Sequence, residues 1–193
     1  RHWHQDDTGL RLDLVRARAE RYPAPGALPV VRPAGLDEDL ARRDFSINAL
    51  AWGLSGPDAG RLIDPWQGQA DLAAGRLRAL HPGSFQDDPT RIWRGLRYAR
   101  RLGFRLAPQT AALIPDALPV LANLSGRRLA NELGRVWAEA RPADILADLA
   151  AAGVLEAIDP GWQAARSRAI SAATSRDLPI PAGPVTSAAR GPG

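Results

Sequence analysis

The chain has 193 residues, 45% apolar and 24% charged, with 25 basic against 21 acidic side chains and a formal net charge of +4. That composition can bury a core and excludes a chain disordered throughout, and the length fits one or two compact units. The absence of Cys excludes disulfides and thiolate metal sites and suits a reducing cytoplasm, and no apolar run has the length of a membrane span or the setting of a secretory signal.

All 25 basic residues are Arg, a bias that fits a GC-rich genome and also suits bidentate recognition of phosphates and bases. The modest positive excess permits a polyanionic partner without requiring one. His2 and His4 flank Trp3. Such a pair on a strand could hold a metal, but no third ligand lies nearby, and a frayed strand edge is preferred. Leu10, Leu12 and Leu14 alternate with Arg11, Asp13 and Val15, the period of two of a half-buried strand. Asp13 then points away from the leucines, either into solvent or into a cleft.

Residues 22–33 hold four Pro and a Gly and predict a surface loop of a kind that is often functional. Leu36 to Ala41 predicts a short helix carrying Asp37, Glu38 and Asp39. The Asp-x-Asp invites a metal, but acidic runs at helix starts are usually solvated and favourable to the dipole, and the solvated face is preferred. Arg42, Arg43 and Asp44 follow, ahead of an apolar segment. Residues 49–54 and 61–63 flank a Gly-Pro-Asp-Ala-Gly turn and predict a hairpin. Asp64 to Gly68 closes it, Asp71 begins a helical turn, and residues 76–80 predict a second short strand.

Phe85 to Phe104 is the stretch around which the chain is organised. Asp88-Pro89 is a helix-start signal: the carboxylate can accept orphan amide protons of the first turn, and Pro has no amide to leave unpaired. Ile92, Leu96 and Ala99 fall on one face, Arg94, Arg97 and Arg101 on the opposite one, and Gly103 ends the helix. Asp87 and Asp88 at the positive end, with guanidinium groups rising from the first turn, offer acceptors beside planar donors. A nucleotide needs both.

Beyond this stretch the chain reads as helical. Residues 108–117 predict a short helix. Ser125 caps a longer one with Leu129, Leu133, Val136 and Trp137 on its apolar face and Arg127, Arg128 and Glu132 on a polar, solvated side. Residues 142–152 predict another, closed by Gly153. From Ser171 the sequence lacks the large apolar residues that offset ordering entropy, and disorder is expected. No internal repeat is present.

Four segments, in this order and spacing, resemble the class II tRNA nucleotidyltransferase and bacterial poly(A) polymerase family, the CCA-adding enzymes of the polymerase-β-like superfamily. Glu38 to Ala49 resembles the family motif that recognises the ribose. Asp64-Pro65 through Gly68 to Asp71-Leu72 resembles the flexible linker between head and neck. Asp87-Asp88-Pro89-Thr90-Arg91 resembles the Glu-Asp-x-x-Arg amino-acid template, and Ser125 to Leu133 resembles a neck helix that supports it.

The resemblance, which covers roughly residues 10–160, implies an α+β chain. Residues 1–80 would be the C-terminal part of a nucleotidyltransferase head with a mixed sheet and residues 81–165 an all-helical neck and body; the resemblance leaves residues 166–193 unexplained, a tail expected to be disordered on its composition. It further implies template-independent addition of nucleotides from CTP and ATP to the 3′ end of tRNA. Asp88 would accept from an exocyclic amine of the incoming base, and Arg91 would donate to its ring acceptors. Arg94 and Arg97 would face the triphosphate or primer end. Arg43 and Asp44 would hold the ribose or phosphates, favouring ribonucleotides through the 2′-hydroxyl. The nucleotide is thereby chosen by side chains rather than by a nucleic-acid strand.

Asp87 stands where the family has Glu, a shorter arm that changes support more than base reading. The family's Gly-Gly followed by Arg-Asp, and the Asp-x-Asp that carries two magnesium ions, should lie upstream of Asp13, and the chain contains no Gly-Gly pair. Asp37 and Asp39 cannot substitute, because they fall in the acidic segment that precedes Arg-Arg-Asp-Phe. Asp13 resembles the third acidic position of the superfamily, a catalytic candidate that is insufficient alone, and no metal ligand is assigned. Because two-metal phosphoryl transfer needs those cations, the expectation is a piece of a longer, magnesium-dependent cytoplasmic protein, inactive by itself. Two alternatives stand. One is a poly(A) polymerase or an enzyme adding only A or only C. The other is a non-catalytic remnant whose Arg-rich helices grip the phosphates of an RNA.

Overall fold

The computed structural model describes residues 2–4, 11–159 and 161, with side chains from Leu14 onward. The tail over residues 166–193 and the side chains of His2, His4 and Asp13 lie outside that description. Near the start, His2–His4 (β1) pairs antiparallel with Arg11–Asp13 (β2), His2 opposite Asp13. Arg18–Arg21 (β3) pairs antiparallel with Val30–Pro33 (β4), Arg18 opposite Pro33 and Arg21 opposite Val30. This corrects the single loop predicted over residues 22–33. The prolines break regular structure only as far as Pro29; the β-branched Val30 and Val31 then extend the backbone, and Pro33 is tolerated because it ends an edge strand.

Leu36–Ala41 forms the predicted helix (α1). Ser46–Asn48 makes one 3-10 turn, and Ala51–Trp52 (β5) and Leu62–Ile63 (β6) make the predicted hairpin. Gly68–Ala73 (α2), Arg76–Leu77 (β7) and Ser84–Asp87 (α3) lead into Thr90–Leu102 (α4). Gly103, at φ 68°, ends α4 in the left-handed region that glycine enters without strain. Arg105–Leu106 (β8) then pairs parallel with β7. The mixed sheet is thus, among the described residues, four two-stranded pairs, three antiparallel and one parallel.

The helix predicted over residues 108–117 is two short pieces, Pro108–Ala111 (α5) and Ile114–Ala117 (α6). Pro115 has no amide to give the Ala111 carbonyl, and its ring clashes there. A 3-10 segment over Leu118–Asn123 leads to Gly126–Trp137 (α7), where the Ser125 side chain accepts from the Arg128 amide as predicted. Pro142–Ala151 (α8) and, after Gly153, Val154–Ile158 (α9) complete the described chain.

α4 is the spine of the molecule and packs on α3, α7, α8 and β8. Its Ile92 and Trp93, each 1% exposed, sit in one core with Phe45, Leu77, Phe85, Val136, Ile145 and Leu149. Phe45 meets Phe85 and Tyr98 edge-on at 6.5 and 6.2 Å. The core leaves no room for a side chain at Gly95, where an added Cβ would lie 2.9 Å from Phe45 Cζ and 3.2 Å from Leu106. Trp137, predicted for the apolar face of α7, is instead 62% exposed at the helix end.

Candidate nucleotide-binding cleft

Four parts of the chain converge on a cleft of about 670 Å³: the β3–β4 hairpin, residues 42–48, the first turns of α4, and the polar side of α7. Of the residues predicted for a nucleotide site, Arg43, Asp44, Asp88, Arg91 and Arg94 all line it. Arg97 does not.

Asp88 is anchored at the base of the cleft. Its Oδ1 accepts from the Thr90 amide at 3.1 Å, the Thr90 hydroxyl at 2.5 Å and Arg128 Nη2 at 2.7 Å. Pro89 rather than Asp88 occupies the cap position of α4, yet the Asp88 side chain still takes up a first-turn amide. Among the described residues its Oδ2 receives only Arg94 Nη2, at 3.2 Å, and so keeps acceptor capacity. Burial pushes the Asp88 carboxyl up, but Arg94, the Thr90 hydroxyl, Arg128 and Arg91 outweigh it and hold it below the ordinary carboxylate range. Asp88 is an acceptor, not a donor, at neutral pH.

Arg94 joins this carboxylate to Asp44, donating from Nε to Asp44 Oδ2 at 2.9 Å. Burial works against its charge, but Asp44 and Asp88 together raise its pKa above the usual guanidinium value. The other oxygen of Asp44 accepts from the Phe45 amide at 3.0 Å and Asn48 Nδ2 at 2.8 Å. Arg91, 3% exposed, is held from behind: Nη1 donates to Ser84 Oγ at 2.7 Å and Nη2 to the Arg42 carbonyl at 2.8 Å. Its buried Nε has no partner among the described residues. Arg43 donates from Nη2 to Asp39 Oδ2 at 2.6 Å, and its side chain is 39% exposed.

Arg97 shares the polar face of α4 with Arg94, but it lies one turn further along the helix, outside the cleft. It donates to Glu139 Oε1 at 2.9 Å with only 7% of its side chain exposed, and its guanidinium lies 4.7 Å from the Tyr98 ring centroid. The arginine face is therefore split between the cleft and the neck.

Several cleft residues escaped the sequence reading. Arg128, read as solvated, bonds Asp88 and also the Gly26 carbonyl, at 2.7 Å, which ties the hairpin loop to α7. Glu132, read the same way, is 3% exposed and pairs with Arg135. Arg128, Glu132 and Arg135 recur at spacings of four and three, a stripe that could have marked this side of α7 as facing something. Tyr22 contributes a hydroxyl that donates to Glu20 Oε2 at 3.1 Å. Burial, only partly offset by Arg91, raises its pKa to about 12 and keeps it protonated.

Among the described residues no group of three or more His, Cys or acidic side chains could hold a metal ion, and no helix is long and apolar enough to cross a membrane. The Asp39 carboxylate, the one member of the acidic run that is buried, is occupied by arginines rather than open to a cation.

Comparison with known proteins agrees with this geometry. Residues 2–78 match the family model described as poly A polymerase head domain, and residues 103–166 match the one described as "Probable RNA and SrmB-binding site of polymerase A". An A-adding tRNA nucleotidyltransferase of Halalkalibacterium halodurans is 45% identical over 144 residues, which is 72% of this chain and 34% of the relative. The chain thus spans about a third of that relative's length. A solved CCA-adding enzyme in an apo form superposes with a TM-score of 0.75 at 35% identity, covering 83% of this chain and 40% of that one. A tRNA nucleotidyltransferase complexed with a primer tRNA and an incoming ATP analog superposes with a TM-score of 0.63 at 41% identity, covering 69% of this chain and 42% of that one. With the α+β architecture and the motif order already described, these likenesses place the chain in the tRNA nucleotidyltransferase and poly(A) polymerase family.

Proposed function

We propose that the protein carrying this chain adds nucleotides from CTP or ATP to the 3′ end of tRNA, and that the cleft between α4 and α7 selects the nucleotide. The observation that carries this is Asp88: a partly buried, ionised acceptor fixed by Thr90, Arg94 and Arg128. A carboxylate so held accepts from the exocyclic amine of cytosine or adenine. It repels the carbonyl that uracil and guanine present at the corresponding edge. Arg91, with its rear hydrogen bonds fixing its plane, supplies donors for ring acceptors. On this reading Arg43 and Asp44 hold the ribose or phosphates and Arg94 faces the triphosphate or primer end, which their common place in the lining of the cleft supports. Arg97 has no part in this assignment, because it lies outside the cleft.

The division into head and helical neck near residue 80 is part of the proposal, supported by family matches on either side of it. So is a cytoplasmic location. Magnesium belongs to the whole protein as the family resemblance implies. The described residues supply no ligand set for it. Asp13 remains a candidate for the catalytic centre on the strength of the resemblance alone.

The test is extension of a tRNA lacking its 3′ terminus by the full-length protein, with each of the four nucleoside triphosphates in turn. Incorporation of C, of A, or of both, with U and G refused, is the expected result, and which of C and A enters separates CC-adding, A-adding and CCA-adding activity. RNA binding that is steeply salt-dependent, with no extension and no preference among free nucleotides, would replace the proposal with a phosphate-gripping RNA-binding role.

A further inference from the structure

Asp39 does not line the cleft, yet three of the groups that build the cleft hang from it. Its Oδ1 accepts from Arg42 Nη2 at 2.7 Å, from Arg42 Nε at 3.0 Å and from the Arg18 amide at 3.1 Å. Its Oδ2 accepts from Arg43 Nη2 at 2.6 Å, and its backbone carbonyl accepts from Arg43 Nε at 3.3 Å. Asp39 is 6% exposed, so these bonds form where water competes poorly. Through Arg18 it holds the edge of β3, which carries Glu20 into the cleft. Glu20 in turn accepts from Arg42 Nη1 at 2.9 Å. The Arg42 carbonyl accepts from Arg91 at 2.8 Å. One carboxylate therefore fixes Arg43 directly, and fixes Arg91 through Arg42.

We infer that Asp39 is a positioning residue of the nucleotide site, aiming Arg43 at the ribose or phosphates and, by way of Arg42, setting the plane of Arg91 against the base. The inference rests on the nucleotidyltransferase reading and deepens it. Arg42 and Arg43 are adjacent in sequence but differ in kind. Arg42 spends its guanidinium on Asp39, Glu20 and the Arg18 carbonyl, whereas Arg43 has a second terminal nitrogen without a hydrogen-bond partner among the described residues. A planar fork held on one side by a carboxylate presents its other side in a fixed direction. Ligand binding then orders less of the side chain, which is where preorganisation gains affinity.

Asp71 supplies the control. It is 2% exposed and bound by Ser46 Oγ at 2.6 Å, Arg78 Nε at 2.7 Å and Arg76 Nη2 at 3.0 Å, so its chemistry matches that of Asp39, but it neither lines the cleft nor bonds a side chain that does. The experiment measures KM and kcat for the triphosphate in the full-length protein, with Asp39→Asn beside Asp71→Asn. Asp39→Asn is expected to raise the triphosphate KM about tenfold, the equivalent of one lost charge-assisted hydrogen bond. Asp71→Asn should lower stability by a similar amount and leave that KM in place. If Asp39→Asn does not fold, Arg42→Lys tests the same path: it keeps a cation beside Asp39 but cannot bond Asp39, Glu20 and the Arg18 carbonyl together, and a KM rise is again expected. An unchanged KM in the folded variant, or an equal rise in Asp71→Asn, overturns the inference. A wild-type protein that uses no triphosphate overturns the nucleotidyltransferase reading itself and the inference with it, and the wild-type measurement tells the two failures apart.

Discussion

Asp88 shows how one side chain serves both fold and site. Its Oδ1 is consumed by Thr90 and Arg128, which orders the start of α4 and ties it to α7, while Oδ2 takes Arg94 and keeps acceptor capacity for the nucleotide proposed above. Arg94 bridges Asp44 and Asp88, a geometry that a flexible point charge cannot copy. Arg94→Lys is accordingly expected to weaken triphosphate binding by about tenfold, measured by titration, and an unchanged affinity would remove Arg94 from the site. Asp39 gives a pH prediction. Burial raises its carboxyl pKa, but hydrogen bonds from Arg43, Arg42 and the Arg18 amide prevail and hold it at about 2. Its folded pKa lies below the unfolded value of about 3.9. The stability it contributes is therefore complete above about pH 4 and is lost as pH falls toward 2. Asp39→Asn should flatten the stability profile across that window in urea unfolding, and an unaltered slope would contradict the pairing. The sequence made Asp88 legible because its role begins with a neighbour two residues away. It misread Asp39 as solvated because one of its partners, the Arg18 amide, lies 21 positions away, and no local pattern reports that.

At the scale of elements, local chemistry was readable wherever it decided the outcome. The Ser125 cap, the Gly103 and Gly153 stops and the 36–41 helix all formed as predicted, since each depends on residues within one turn. The parallel pairing of β7 with β8 across α4 was not readable, because no local pattern reports it, and the β3–β4 hairpin went unseen because β3 lacks β-branched residues and prolines fill the segment that leads to β4. Ser125→Ala should cost about 1 kcal/mol of stability with little change in nucleotide selectivity, measured by denaturant unfolding. Gly95→Ala tests the packing of α4 on the core. Its Cβ would press into the Phe45 ring, and a loss of about 1 to 3 kcal/mol is expected, where helix propensity alone would predict a gain.

Across the whole molecule, α4 divides its arginines between two tasks. Arg91 and Arg94 look into the cleft, while Arg97 and Arg101 pair with Glu139 and Arg100 pairs with Asp148, fastening the helix to the end of α7 and to α8. Helical spacing alone could not separate these groups, because the split depends on where α7 and α8 pack. Glu139→Gln should therefore destabilise the fold by about 2 to 3 kcal/mol, as expected for a largely buried pair losing one charge, and leave the triphosphate KM alone. A KM change without a stability change would return Arg97 to the site. The central claim is that a protein carboxylate, not a nucleic-acid template, chooses the base. Its most direct test is to compare the full-length protein with Asp88→Ala for use of CTP, ATP, UTP and GTP, alongside unfolding of both. With Asp88 as the base reader, refusal of UTP and GTP is expected to collapse by more than the loss of stability explains. Selectivity kept intact, with only a stability loss, would reduce Asp88 to a helix-start residue and contradict it.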